Sequence, residues 1–255
     1  MKPNFDLTGR LALVTGSSRG LGWAMAQALA ASGARILLHG RDAGALAAHA
    51  AILAERGTPA AEILRFDLTD GTAVHDAFAE IVQAHGRLDI LVSNAGSTVR
   101  KPILEFSDAD WHQVIEADLT AGFRCAREAL RLMIPRGSGR IIMTSSILGH
   151  LARPTVPAYV AAKAGLHGLV RALAVEVAKN GVTVNAIAPG YFHTDFTAPL
   201  EHDSVLAEWI VKSTPMGRWG EPAELGGAVV FLASDAASFV TGSVLTVDGG
   251  FIAAL

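Results

Sequence analysis

The sequence holds a single cysteine, Cys125, among 255 residues. One thiol closes no disulfide within the chain, so the fold must rest on its core, and such usage fits a cytoplasmic protein in a reducing compartment. Cys125 itself reads as a small buried hydrophobe. The nine histidines are scattered without metal-ligand spacing, so no metal is expected. Charge is scarce as well: 18% of residues are charged, below the usual quarter, and the net charge is −3. Nothing in that balance points to nucleic acid or an anionic membrane as a partner. No apolar run reaches the length of a membrane span, because Gly, Asp, Glu or Arg interrupts each one. The opening stretch, Met1 to Asp6, is too polar for a secretory signal. Tyrosine is rare, with only two in the chain.

What the chain has in plenty is apolar residue: 51% of it is hydrophobic, enough for a large core and subunit contact. Short apolar runs of strand length alternate with longer stretches of helical period. Strands are expected at 10–15, 35–39, 62–66, 88–93, 140–145, 182–187 and 244–247. Helices are expected over 23–32, 43–56, 71–85 and 108–133, and again from Pro157 onward. Asp42 reads as the start of the second helix. Glu221-Pro222 opens a further one, with proline at a tolerated first position. There is no linker and no low-complexity segment. The alternation implies an α/β protein: a single doubly wound Rossmann-type domain over residues 1–255, a parallel sheet with helices on both faces. Residues at about 190–220 are the substrate-loop region. Ligands in such sheets bind beyond the carboxyl ends of the strands. The glycine turn at 16–22, Asn94-Ala95-Gly96, Ser146 and Pro189-Gly190 all fall at such ends. One shared site follows.

The chemistry concentrates between Ser146 and Lys163. Tyr159 and Lys163 lie four apart in a helical pattern, on one face of one helix. A free tyrosine keeps its proton to about pH 10, and a neighbouring ammonium lowers that value. Together they form a proton-transfer device. Ser146, at the end of a strand, puts a hydroxyl where it can hold a substrate oxygen facing the tyrosine. At the other end, Gly16, Gly20 and Gly22 sit between a strand and its helix, where backbone can approach a pyrophosphate drawn to the helix N-terminus. The spacing G-x-x-x-G-x-G differs from the standard G-x-G-x-x-G fingerprint. An acidic residue near the end of the second strand would signal NAD; here that place reads His39-Gly40-Arg41. Arg41, Arg19 and the Ser18 hydroxyl suit a 2′-phosphate, so NADP is expected over NAD.

The ordered set Thr15-Gly16-x-x-x-Gly20-x-Gly22, Asp67, Asn94-Ala95-Gly96, Ser146, Tyr159-x-x-x-Lys163, Pro189-Gly190 and Thr194 resembles the short-chain dehydrogenase/reductase family over the whole chain. The resemblance implies that Tyr159 is the acid–base, that Ser146 polarises the substrate oxygen, and that Lys163 lowers the tyrosine pKa and binds the nicotinamide ribose. It implies further that Asp67 holds the adenine amino group with Leu68 flanking it, that Leu21 belongs to the cofactor turn, and that Thr194 and the backbone near Phe192 hold the carboxamide. Two positions depart from the family pattern. Ser93 stands where an asparagine is usual. Asp118 occupies the place of the family's fourth catalytic residue, an asparagine that helps hold a water between the lysine and solvent. The change removes two donors and introduces an acid within reach of that water chain.

Within the family, the stretches 189–197 and 214–222, with Arg100-Lys101-Pro102, look most like the gluconate 5-dehydrogenase branch. Arg100 is either a fork for a sugar-acid carboxylate at the site rim or a surface loop arginine. The resulting expectation is an NADP-dependent oxidoreductase interconverting a secondary alcohol and a ketone on a small polar substrate such as a sugar acid, with a 3-ketoacyl or sugar-alcohol reductase of the same family as the alternative. A non-catalytic NADP sensor and a lyase or epimerase with a tightly held nicotinamide are the readings from other classes. Family members are commonly tetramers joined through two long helices, and the apolar tail from Phe251 to Leu255 supports a subunit contact.

Overall fold

The computed structural model describes residues 4–58 and 60–254. The first three residues of the polar N-terminal stretch, Pro59, and Leu255 at the end of the apolar tail lie outside the described residues. Among the described residues, seven strands form one sheet: β1 (Leu11–Val14), β2 (Arg35–His39), β3 (Glu62–Leu64), β4 (Ile90–Ser93), β5 (Gly139–Thr144), β6 (Val182–Pro189) and β7 (Val244–Val247). Their spatial order is β3-β2-β1-β4-β5-β6-β7, and every neighbouring pair is parallel. The chain runs outward from β1 to β3, then crosses back to place β4 on the other side of β1. That reversal opens a crevice at the carboxyl ends of β1 and β4.

Successive strand residues point to opposite faces, and β1 shows why both faces need helices. Ala12 and Val14 pack with Met25 and Leu29 of α1 (Gly20–Ala31) and with Leu46 and Leu53 of α2 (Ala43–Glu55). Leu11 and Leu13 pack on the other side with Val74, Phe78 and Ile81 of α3 (Gly71–His85). Each fully buried Leu or Ile side chain contributes about 1.5–3 kcal/mol, so strand runs without polar alternation are what this sheet requires. Asp42 caps α2 by accepting the Ala45 N–H at 3.0 Å. Cys125 is buried on the α3 side of the sheet.

The expected helix over 108–133 is not uniform. It consists of α4 (Asp108–Ile115), a π-turn over Glu116–Thr120, and α5 (Ala121–Met133). The Ala121 N–H reaches back five residues to the Glu116 carbonyl. Such turns insert one residue into a helix and recur at functional sites; here the turn carries Asp118, which is 3% exposed. The first helix also differs from expectation, beginning at Gly20 rather than at residue 23. The long α6 (Pro157–Val177) carries Tyr159 and Lys163 and lies on β6. The 190–220 region folds into α7 (Ala198–Glu201) and α8 (Ser204–Ser213), joined by a small cluster of Leu200, Ile210 and Trp219. Glu221-Pro222 opens a 3₁₀ turn that leads into α9 (Gly226–Ala233), which covers α1. No helix among the described residues is long and apolar enough to cross a membrane.

Candidate active site

Every residue expected from the sequence to serve catalysis, cofactor or substrate lines one cavity of about 970 Å³ above the carboxyl ends of the strands. One end is the glycine turn; the other holds Ser146, Tyr159, Lys163 and Asp118. Beyond Thr144 the chain stays extended, and the Ser145 N–H donates to the Ile187 carbonyl of β6 at 2.7 Å. Ser146 follows with φ −163 and ψ 158 and then enters a 3₁₀ turn, where its hydroxyl accepts the Leu148 N–H at 3.1 Å. A first-turn proline starts α6, and one turn separates Tyr159 from Lys163. The Lys163 Nζ stands 5.3 Å from the centre of the Tyr159 ring.

Lys163 is held on two sides. Its Nζ donates to the Thr144 carbonyl at 3.0 Å and lies 3.1 Å from Asp118 Oδ1. The other Asp118 oxygen accepts the Ser97 N–H at 2.8 Å. Gly96 leaves room for this carboxylate: a Cβ there would come within 2.5 Å of Oδ1. The sequence led to an acid reaching Lys163 through water. The structure instead puts it in direct contact, because the π-turn swings Asp118 inward onto α6. Lys163 and Asp118 thus form a buried ion pair, in which Oδ1 stands close to Nζ but accepts no well-aligned hydrogen bond. Burial works against the ammonium, but Asp118 and Tyr159 outweigh it and raise the Lys163 pKa. Burial likewise raises the Asp118 pKa, with Lys163 and Ser97 opposing.

The expectation for Tyr159 needs correcting. Lys163 does pull its pKa down, as do Ser146 and Arg100, but burial pushes up more strongly and Asp118 adds to it. The phenol therefore sits above its ordinary value and is protonated at neutral pH.

At the other end, the tips of β1 and β4 are tied together. Thr15 Oγ1 accepts the N–H groups of Asn94 and Ala95 at 2.9 and 3.2 Å. The Asn94 side chain donates to the carbonyls of Thr15 and Gly16 at 3.1 and 3.3 Å. Asn94 thus lines the cavity while its amide is engaged by the turn rather than turned toward a ligand. Gly16 has φ +65, and a Cβ on it would stand 2.9 Å from Ala95 Cα. A Cβ on Gly22 would overlap the Gly16 carbonyl. This close approach needs glycine at both places. No side chain caps the start of α1, so its first N–H groups are available to an anion. Ser18, Arg19 and Arg41 line the same end. Asp67 accepts the N–H and hydroxyl of Thr69 at 2.9 and 2.7 Å, and these bonds lower its pKa. Leu68 lies beside it in the wall. Pro189 ends β6, and the Gly190 N–H donates to the Val247 carbonyl at 2.9 Å. The Phe192 carbonyl and Thr194 are organised by Thr197, whose hydroxyl donates to the former and meets Thr194 Oγ1 at 2.8 Å. The glycine cradle, the uncapped helix and the two arginines fit a phosphorylated dinucleotide.

Of the two readings offered for Arg100, its position matches the one at the cavity rim. It is partly buried in the cavity wall, donates to the Phe196 carbonyl at 3.2 Å and lies over the Phe196 ring at 5.5 Å. That ring is 5.9 Å from Tyr159. Burial and the nearby Arg153 lower the Arg100 pKa. Sequence reasoning missed Arg153, which lines the same wall. It also missed Ser145 and His167: Ser145 Oγ is 2.7 Å from His167 Nε2 and donates to the Lys163 carbonyl at 3.3 Å. This ties α6 to the end of β5. Burial, helped by His150, Arg171 and Lys163, lowers the His167 pKa to about 4, so the ring is neutral. His39, buried under the glycine turn, is the fourth omission. No motif marks these residues, because each acts through partners far away in sequence.

Comparison with known proteins agrees with this geometry. A family model described as Enoyl-(Acyl carrier protein) reductase matches residues 16–252. The chain belongs to the short-chain dehydrogenase/reductase family. It is 42% identical to gluconate 5-dehydrogenase of Gluconobacter oxydans over 98% of each chain. It is 43% identical to galactitol 2-dehydrogenase (L-tagatose-forming) of Cereibacter sphaeroides, over 97% of this chain and 96% of that one. The crystal structure of a gluconate 5-dehydrogenase from Burkholderia cenocepacia, in complex with NADP and tartrate, superposes with a TM-score of 0.95 at 40% identity, covering 99% of each chain. As a member of this family the chain is an NAD(P)-dependent oxidoreductase.

Proposed function

We propose that the chain is an NADP-dependent oxidoreductase that interconverts a secondary alcohol and a ketone on a sugar acid, with residues 1–255 acting as one cofactor-binding and catalytic unit. The observation that carries this reading is the single cavity, with a fitted dinucleotide cradle at one end and Ser146, Tyr159, Lys163 and Arg100 together at the other. The relatives named gluconate 5-dehydrogenase, one of them in complex with NADP and tartrate, favour an acidic polyol.

The dinucleotide, when bound, supplies or accepts the hydride. The chain's own residues manage the oxygen. Ser146 donates its hydroxyl proton in a hydrogen bond to the substrate carbonyl. Tyr159, protonated at neutral pH, passes its proton to that oxygen during reduction. Lys163, fixed by Asp118 and the Thr144 carbonyl, stabilises the phenolate left behind. Arg100, braced by Phe196, forks onto the substrate carboxylate. Because the tyrosine pKa is raised, reduction is expected to hold its rate through neutral pH, while oxidation, which needs the phenolate, climbs with pH.

Reading nicotinamide absorbance across keto-sugar acids, neutral ketoses and ketoacyl thioesters, with both cofactors, tests the proposal. NADPH with a keto-sugar acid is expected to give the highest kcat/KM. Arg100→Ala is expected to raise KM for the acid about tenfold or more, the value of a lost charged hydrogen bond, and to leave the neutral ketose unaffected. Preference for the thioester, or equal losses on acid and ketose, counts against the sugar-acid reading. Within the same proposal the chain is a cytoplasmic homotetramer. The exposed Trp111, Phe123 and Val175 on α4, α5 and α6 support helix-to-helix assembly, which light scattering on the purified protein checks.

A further inference from the structure

His39 ends β2 and is 3% exposed. Both ring nitrogens are engaged. Nδ1 lies 3.2 Å from the Gly16 nitrogen and accepts its N–H. Nε2 lies 3.1 Å from the Phe66 carbonyl, just beyond β3. A backbone N–H can only donate and a carbonyl can only accept. The two bonds therefore admit one form of the ring: neutral, with its proton on Nε2. The backbone of His39 adds to the hold, since its carbonyl accepts the Ser17 N–H at 2.8 Å and its N–H donates to Ser17 Oγ at 2.9 Å. The ring also packs on Phe66 at 4.3 Å. Burial lowers its pKa, against the Phe66 carbonyl and Asp67, which raise it.

The sheet order explains why this matters. β1 lies between β2 and β4. The Gly16 peptide group is therefore gripped from both flanking strand tips: its carbonyl accepts from Asn94 beyond β4, and its N–H donates to His39 at the end of β2. Gly16 is also where the backbone has positive φ and no spare room. A side chain that only filled space would not need an acceptor aimed at that N–H.

We infer that His39 is a positioning residue for the dinucleotide: through Nδ1 it presets the Gly16 turn in the shape that receives the pyrophosphate. The inference rests on the dinucleotide reading above. It separates two neutral replacements by which ring nitrogen each one imitates. In His39→Asn the amide oxygen sits at the Nδ1 position and still accepts from Gly16. In His39→Gln the amide lies one bond further out, at the Nε2 position, and Gly16 loses its acceptor. A buried donor left unpaired is costly.

The test combines NADPH titration by fluorescence with amide hydrogen exchange of the ligand-free protein. His39→Gln is expected to weaken NADPH binding by about tenfold, with kcat at saturating NADPH within about twofold of the parent. His39→Asn is expected to keep binding within about threefold. In the ligand-free parent the Gly16 amide is expected to exchange slowly, and in His39→Gln fast. Equal weakening in both variants, or no weakening in either, overturns the inference. Fast exchange of Gly16 in the parent also overturns it, and that result needs no variant to fold. A parent that binds no NADPH at all would instead defeat the dinucleotide reading, while the Gly16 exchange rate still reports on His39.

Discussion

Asp118→Asn replaces the acid with the residue usual at this position in the family and changes almost no volume. In the structure it breaks a contact between two groups that water barely reaches: the side chains of Lys163 and Asp118 are 4% and 0% exposed, with Nζ and Oδ1 3.1 Å apart. Removing one partner of a buried ion pair costs about 3–5 kcal/mol. Asparagine keeps an oxygen near Nζ, and Lys163 keeps the Thr144 carbonyl, so the lower end of that range applies, about 3 kcal/mol. For a domain of about this size each kcal/mol moves Tm by roughly 2–4 °C. A fall of roughly 6–12 °C is expected, measured at fixed protein concentration and without cofactor. The rate profile changes in a second, separable way. Asp118 raises the pKa of Tyr159, so its loss lowers that pKa, and the rise of alcohol oxidation with pH moves to lower pH. Asp118 also raises the pKa of Lys163, and burial unopposed by the acid disfavours the ammonium. The variant's activity should therefore fall off earlier on the alkaline side. These groups titrate as a coupled set, so the profile belongs to the cluster. Differential scanning fluorimetry and kcat against pH at saturating cofactor decide the matter. An unchanged Tm, or an oxidation limb that stays put or moves to higher pH, refutes the electrostatic role of Asp118.

Two further substitutions probe the ends of the cavity. Tyr159→Phe removes only a hydroxyl, so NADPH titration should be nearly unchanged while turnover falls by about 10²–10⁴, the worth of a positioned acid–base; near-normal turnover would remove Tyr159 from the chemistry. Arg41→Ala should weaken NADP binding by about tenfold or more, one charged hydrogen bond being worth roughly 1.5–3 kcal/mol, and leave NAD binding as it was. Equal losses for both dinucleotides would mean that Arg41 serves the fold.

The sequence by itself determined the layered parallel sheet, the places where strands end, and the set of residues that meet there. It could do so because these features rest on local signals. Apolar runs of strand length define β1 to β7, glycines and the Asp42 cap mark helix ends, and four-residue spacing puts Tyr159 beside Lys163. The sheet then brings strand ends together with no further instruction, since parallel pairing aligns all carboxyl ends on one edge. What only the tertiary structure decided are the contacts between residues far apart in the chain. The π-turn that swings Asp118 onto Lys163, the Ser145–His167 tie, and the grip of His39 on Gly16 left no periodic trace. The net direction of the Tyr159 pKa belongs with them. An ammonium four residues away is legible in sequence, whereas the opposing burial and the Asp118 carboxylate exist only once three separate elements have packed together. Desolvation and long-range charge depend on what surrounds a group in space, and that is settled by packing rather than by neighbours along the chain.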